Sequence, residues 1–188
     1  MRYQKILRAV LLAAFAAGLL VAGGCGGEAV GVVPNNPRGD GQVVAALMTV
    51  DTGEVQQGQL ALARAQDPTV RDFARQMVTE HLAALGRLQT MEREQGISPI
   101  ADATSQELDA EAAKALATLQ ARTGYSFDIS YIDIQVTMHQ RVLDVIDREL
   151  MPIARSQIVQ NELRGARADV STHLGQARQI QRLLGVVR

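Results

Sequence analysis

The fold this sequence predicts is all-α: a bundle of four long helices, with a shorter helix in the connection between its two hairpins. Three observations point to it. Of 188 residues, 47% are hydrophobic and only 3% aromatic, and heavy use of Ala, Leu, Arg and Gln favours helices. Apolar residues recur three and four positions apart over four long stretches. The third observation is the stretch Tyr125 to Leu150, where Ile132, Met138, Val142, Val145 and Ile146 share a helical face with Asp128, Tyr131, Gln135 and His139. At about 100° per residue those four polar residues fall within roughly 80° of one another, while Asp133, Arg141, Asp144 and Arg148 take the opposite side. A polar stripe that points inward must be hydrogen-bonded or bound to something, so the neighbouring helices must answer it.

The chain begins with an export signal. Arg2, Lys5 and Arg8 precede an apolar run from Ala9 to Ala22 that is short for a membrane span, so residues 1–24 read as a signal peptide. The sole cysteine follows in Leu20-Val21-Ala22-Gly23-Gly24-Cys25, which resembles the lipobox of bacterial lipoproteins. That resemblance implies a lipidated Cys25 as mature N-terminus, and a lone cysteine has no intramolecular disulfide to make. Gly26 after it implies sorting to the outer membrane. The expected location is the periplasmic face of that membrane, or the soluble periplasm if Cys25 is not lipidated. Residues 25–41, rich in Gly, Pro and Asn, read as a flexible tether, leaving 42–188 as the bundle domain. Without Arg2, Lys5 and Arg8 the chain carries 16 basic and 20 acidic residues, a net charge of −4. Nucleic acid is therefore not an expected partner. The expected partners are the membrane, through the lipid anchor, and other envelope proteins.

The first helix runs from about Gln42 to Ala65, with Val43, Leu47, Val50, Ala61 and Ala65 inward and Glu54 in the middle of that apolar stripe. Asp67-Pro68 joins an N-cap residue to Pro at the first helical position, which starts a second helix after a very short turn. Its inner face is Val70, Phe73, Ala74, Met77, His81, Ala84, Leu88 and Met91, and Gly96 ends it. Glu54 lies about 13 residues before the turn and His81 about 14 after it, so an antiparallel hairpin sets them level. Gly96 to Ala103 is a loop, and Thr104 to Arg122 a shorter helix opened by Thr104 or Ser105 with Glu107. A single long connection between two helical hairpins is the ferritin-like arrangement, with the second and third bundle helices parallel. His81 and His139 each lie about 13 residues into those helices, hence in one layer. The last helix has two possible starts. From Pro152, His173 would miss the layer by about 15 Å; from Asn161 it lies about 12 residues in, so Asn161 is the expected start. The stripe Ala166, Val170, Leu174, Ala177, Gln181 and Leu184 then puts His173 near its edge.

All three histidines fit one pattern: Val78-Thr-Glu-His81, Val136-Thr-Met-His139 and Val170-Ser-Thr-His173. Imidazole and carboxylate together suit zinc, iron or copper, so Glu54, His81, His139 and His173 are candidate metal ligands. Asp128, Tyr131 and Gln135 are the candidate outer partners, because a metal-bound histidine usually donates its other nitrogen to an acceptor. The competing reading is a metal-free polar network that fixes the register of the bundle. Di-iron centres of the ferritin kind need Glu-x-x-His on two helices, whereas each histidine here has Val three residues earlier. Met77, Met91 and Met138 read as core filler, and Tyr125 and Tyr131 as packing residues with satisfied hydroxyls. No nucleophile–base pair, phosphate loop or nucleophile elbow is legible, which weighs against an enzyme.

Together, Glu54-x-x-x-Gly58-x-Leu60-Ala61, Val70-Arg-Asp-Phe73-Ala74-x-x-Met77-x-x-x-His81, Phe127-Asp128-x-x-Tyr131-x-x-x-Gln135-Val136-x-x-His139 and His173-Leu174-x-x-Ala177 resemble the bacterial domain of unknown function 4142 over about residues 42–184. The resemblance implies a ferritin-like bundle that is typically exported and has no established activity. Glu80 stands where that family commonly has Asp, and Ala168 where it usually has Pro. The lipoprotein reading predicts that Cys25→Ser moves the protein from the membrane fraction to the soluble periplasm; an unchanged distribution, with no acyl mass on the wild type, refutes it.

Overall fold

The computed structural model describes residues 38–185, so the signal peptide, Cys25 and most of the tether lie outside the described residues. Five helices follow one another: α1 (Arg38–Arg64), α2 (Pro68–Gln95), α3 (Ala103–Gln120), α4 (Tyr125–Val145) and α5 (Gln157–Leu183). A π turn, Ile146–Leu150, continues α4 to the predicted end at Leu150 and is closed by the Met151 N–H on the Ile146 carbonyl. The predicted crossover bundle is therefore present. α1 and α2 form one hairpin, α4 and α5 the other, and α3 lies along α1. The Arg64 guanidinium reaches the Gln120 carbonyl at 2.9 Å, which puts the ends of α1 and α3 together, so α3 returns the chain to the level of the α1–α2 turn. None of the described helices is long and apolar enough to cross a membrane.

Local chemistry explains where the helices start and stop. Asp67 caps α2, its Oδ1 accepting from the Thr69 N–H at 2.7 Å, with Pro68 at the first helical position; Gly96 ends α2 in the left-handed region at φ 66°. α3 opens one residue earlier than predicted, because Asp102 rather than Thr104 or Ser105 is the cap and Ser105 completes the reciprocal box. α1 begins at Arg38, which takes four residues from the predicted tether. The reason is Asp40: its fully buried carboxylate accepts from the N–H groups of Arg155 at 2.6 Å and Ser156 at 3.0 Å, pinning the start of α1 to the α4–α5 turn.

The start of α5 also differs from the prediction. Ser156 caps it, so the helix begins at Gln157, not Asn161. At 1.5 Å per residue, His173 lies about 24 Å along α5, whereas His139 is only about 16 Å short of Leu150. The two rings nonetheless sit 5.4 Å apart, so residues 151–156 carry the chain on beyond Leu150 before α5 descends. Counting each helix from its own start assumes a turn that does not climb, and this one does.

The core forms two apolar clusters, one at each end. Val43, Leu47, Leu88, Met91, Val142, Leu150 and Leu163 belong to the first, and Ala61, Phe73, Met77, Phe127, Tyr131 and Ala177 to the second. Between them every bundle helix places polar side chains: Asp51, Glu54 and Gln57 from α1, His81 from α2, Gln135 and His139 from α4, and His173 from α5. At Gly58 the hairpin helices approach so closely that a Cβ would lie 2.8 Å from Val78 Cγ2, which explains the glycine below this layer.

Asp128 mirrors Asp40. Its buried carboxylate accepts from the Gln66 N–H at 3.1 Å and the Asp67 N–H at 2.8 Å, so α4 holds the α1–α2 turn as α1 holds the α4–α5 turn. Asp128→Ala leaves those two N–H groups without their acceptor, and the expected loss is about 1–3 kcal/mol in a urea melt. A loss near zero contradicts this latch.

Candidate metal centre

The three histidines come from three helices, and tertiary packing makes them neighbours. Ring centroids are 6.2 Å apart for His81 and His139, 5.5 Å for His81 and His173, and 5.4 Å for His139 and His173. Their exposures are 5%, 2% and 1%. His173, expected near the edge of its stripe, is wholly inward.

Each ring is held by one nitrogen. His81 Nδ1 donates to Asp51 Oδ1 at 2.7 Å, His139 Nδ1 to the Gln135 carbonyl at 2.9 Å, and His173 Nε2 to Glu80 Oε2 at 2.6 Å. A carbonyl or a carboxylate only accepts, so in a neutral imidazole these contacts fix the tautomer and leave the other nitrogen as a bare lone pair. Those other nitrogens, His81 Nε2, His139 Nε2 and His173 Nδ1, are buried and have no hydrogen-bond partner among the described residues. The three histidines can each offer a nitrogen within 4.8 Å of the other two. Around a tetrahedral ion with Zn–N near 2.05 Å the nitrogens sit about 3.3 Å apart, so each ring need move by about 1 Å or less. Three rings, each steadied from behind by an acceptor, are what a first-row transition metal asks of protein ligands.

The predicted site residues are only partly brought together. Glu54 adjoins the trio but is not one of the converging groups: it stands behind His139, Oε1 3.8 Å from Nδ1, and Oε2 accepts from Gln135 Nε2 at 2.8 Å. Gln135 meets His139 through its backbone carbonyl alone, while its side-chain amide donates to Glu54. Asp128 is absent from the layer because both its oxygens are committed to the α1–α2 turn. Tyr131 packs edge-on to Phe73 and stacked on Phe127. Contrary to the sequence expectation, its buried hydroxyl has no partner among the described residues, whereas the exposed Tyr125 hydroxyl donates to the Leu184 carbonyl at 2.6 Å.

Two acids that hold the rings were not singled out in the sequence. Asp51 lies four residues after Leu47 and three before Glu54, so the helical stripe itself carried the signal. Glu80 precedes His81, and one step of about 100° turns it away from that ring toward the histidine of α5. No sequence signal links it to His173.

Electrostatics separate the rings. Burial pulls His81 down, but the Asp51 hydrogen bond and the charge of Glu54 outweigh it, so its pKa rises. Burial dominates at His139 and lowers its pKa. Burial lifts the Asp51 carboxyl and, helped by the charge of Glu54, raises the Tyr131 phenol well above the usual range.

Fold and site together define a crossover four-helix bundle with a three-histidine layer at mid-height. The chain belongs to the family described as Domain of unknown function (DUF4142), which matches residues 31–180. No curated protein matches the chain. Among solved structures it is similar to the crystal structure of a DUF305 fragment from Deinococcus radiodurans, with a TM-score of 0.64 and 17% identity over 79% of this chain and 97% of that one. At that identity the likeness speaks for the fold alone.

In metal-free protein, histidine NMR titrations are expected to put His81 above and His139 below the ordinary value of about 6.5. Between the depressed His139 value and the ordinary one the unfolded chain takes up the proton, so acidification there weakens folding through this residue. His81 acts in reverse, its contribution fading as pH rises through its raised value. The opposite order of the two midpoints contradicts the assigned environments.

Proposed function

We propose that this domain is a metal-holding module of the bacterial envelope, in which His81, His139 and His173 bind one first-row divalent transition ion such as zinc, copper or iron. The observation that carries this reading is the set of three buried, unpartnered ring nitrogens on rings whose opposite nitrogens are all anchored. A metal-free network fits less well, because the inward nitrogens are hydrogen-bonded neither to one another nor to any other described group. Leaving each buried and unmade costs about 1–3 kcal/mol.

Charge supports the same reading. Asp51 and Glu54 are buried carboxylates, and among the described residues no lysine or arginine is buried beside them. Buried charges call for pairing, and a dication would balance the two. Three imidazoles would leave a fourth position open, as in zinc sites that bind water or a small ligand. Among the described residues no second group of histidines and acids converges on another ion. Storage or redox chemistry of the paired-iron kind is therefore not part of the proposal. The envelope setting follows from the signal-like residues 1–24 and the lipobox-like run ending at Cys25, which would tether the bundle to the membrane.

Protein purified without a histidine tag and stripped with chelator is expected to take up one ion per chain, with a melting temperature that rises with the concentration of zinc, copper or iron salts. His139→Ala removes a ligand and should abolish that rise. A metal-to-protein ratio near zero with no thermal shift for any of these ions overturns the proposal. A metal-independent loss of about 1–3 kcal/mol in His139→Ala would then leave the register network as the role of the layer.

A further inference from the structure

Rings this deeply buried need a route to solvent before an ion can load. A cavity of about 30 Å³ opens between α1, α2 and α5, with His81 and His173 on its inner wall. By this measure of volume it holds about two waters. Its polar lining is one-sided: the carboxylates of Asp51, Glu80, Glu162 and Asp169 face one guanidinium, Arg87. Two of the acids span its depth. Asp51 is buried against His81, whereas the Glu80 side chain is 45% exposed and still places Oε2 on His173. Across the cavity Arg87 Nε donates to Glu162 Oε1 at 3.0 Å, with the Arg87 side chain 47% exposed and that of Glu162 16% exposed.

Resting on the metal reading of the layer, we propose that this cavity is the channel through which a small dication, stripped of most of its water, reaches and leaves the three histidines, with Asp169 drawing it in and the Arg87–Glu162 pair closing the passage. Clefts lined by one sign of charge raise the local concentration of the opposite ion and its rate of association. The Arg87 side chain is 47% exposed, so it can swing into solvent to open the passage and return to Glu162 to cover it. The narrow bore admits an ion with one or two waters and excludes organic chelates. Such an ion is handed from carboxylate to carboxylate, past Glu80 and Asp51, before meeting imidazole.

The test uses the full chain and cobalt(II) chloride as probe, followed by stopped-flow absorbance at low and high ionic strength. D169N is expected to bind cobalt several-fold more slowly than wild type at low salt. The difference should vanish near 1 M salt, where the Debye length falls to about 3 Å. R87M should release cobalt into excess chelator several-fold faster than wild type. For wild type, that release rate should not depend on chelator concentration, because the chelator has to wait outside. One bound ion with the same rates in all three proteins overturns the channel but leaves the metal site standing. A release rate proportional to chelator concentration also overturns it. Loss of stoichiometric binding in D169N would make that carboxylate a ligand rather than part of a passage, and wild type that binds no ion overturns both readings.

Discussion

Every bundle helix must bring polar side chains to one height without leaving their charges alone in an apolar interior, and the rest of the structure answers that demand. Two apolar clusters could pack in several registers, since a slip by one turn exchanges one aliphatic contact for another. A layer containing Asp51, Glu54, Gln135 and three imidazoles cannot slip. One turn is 5.4 Å, far more than the reach of contacts such as Asp51–His81 at 2.7 Å or Glu80–His173 at 2.6 Å. The layer therefore sets the relative height of α1, α2, α4 and α5.

The ends of the bundle enforce the same register. Asp40 from the first hairpin holds the turn of the second, and Asp128 from the second holds the turn of the first. Each is a buried carboxylate satisfied by backbone N–H groups, an arrangement that needs no cation to neutralise it. The middle layer is different in kind. Its acids are satisfied by imidazole and amide, and each imidazole is left with one buried nitrogen that has no hydrogen-bond partner among the described residues. This contrast separates groups that serve the fold alone from groups that also present an unmet valence to a ligand.

A similar backbone does not imply the same chemistry. The DUF305 fragment has a similar backbone at 17% identity, which is too low to carry side-chain function across. In the present chain the candidate chemistry lies in the side chains at mid-height. Glu54, Gln57, Tyr131 and Gln135 fill the space beside His139 with polar atoms, several of them unpartnered, while Asp51 and Glu80 steady the other two rings. These supports set ring orientation and basicity, on which the affinity of the proposed metal site would depend.

The helices, the crossover and the level of most of the layer are legible in the chain's local patterns. Asp67-Pro68 and Gly96 punctuate the chain through backbone preferences that act locally, and the 3.6-residue period marks the inward faces whatever lies opposite. Those local rules sufficed to set Glu54, His81 and His139 level, because one short turn and two helix starts make the count. Only the tertiary structure decided the remainder. Whether Asp128 serves a metal or a turn depends on which N–H groups lie opposite it, and no periodicity encodes that. The same holds for Glu80, whose neighbour in the chain is His81 but whose partner in space is His173. The height of His173 depended on a turn that climbs past Leu150, a path set by the Asp40 carboxylate 115 residues away in the chain. A helix specifies its own faces, but only its packed neighbours decide what those faces meet.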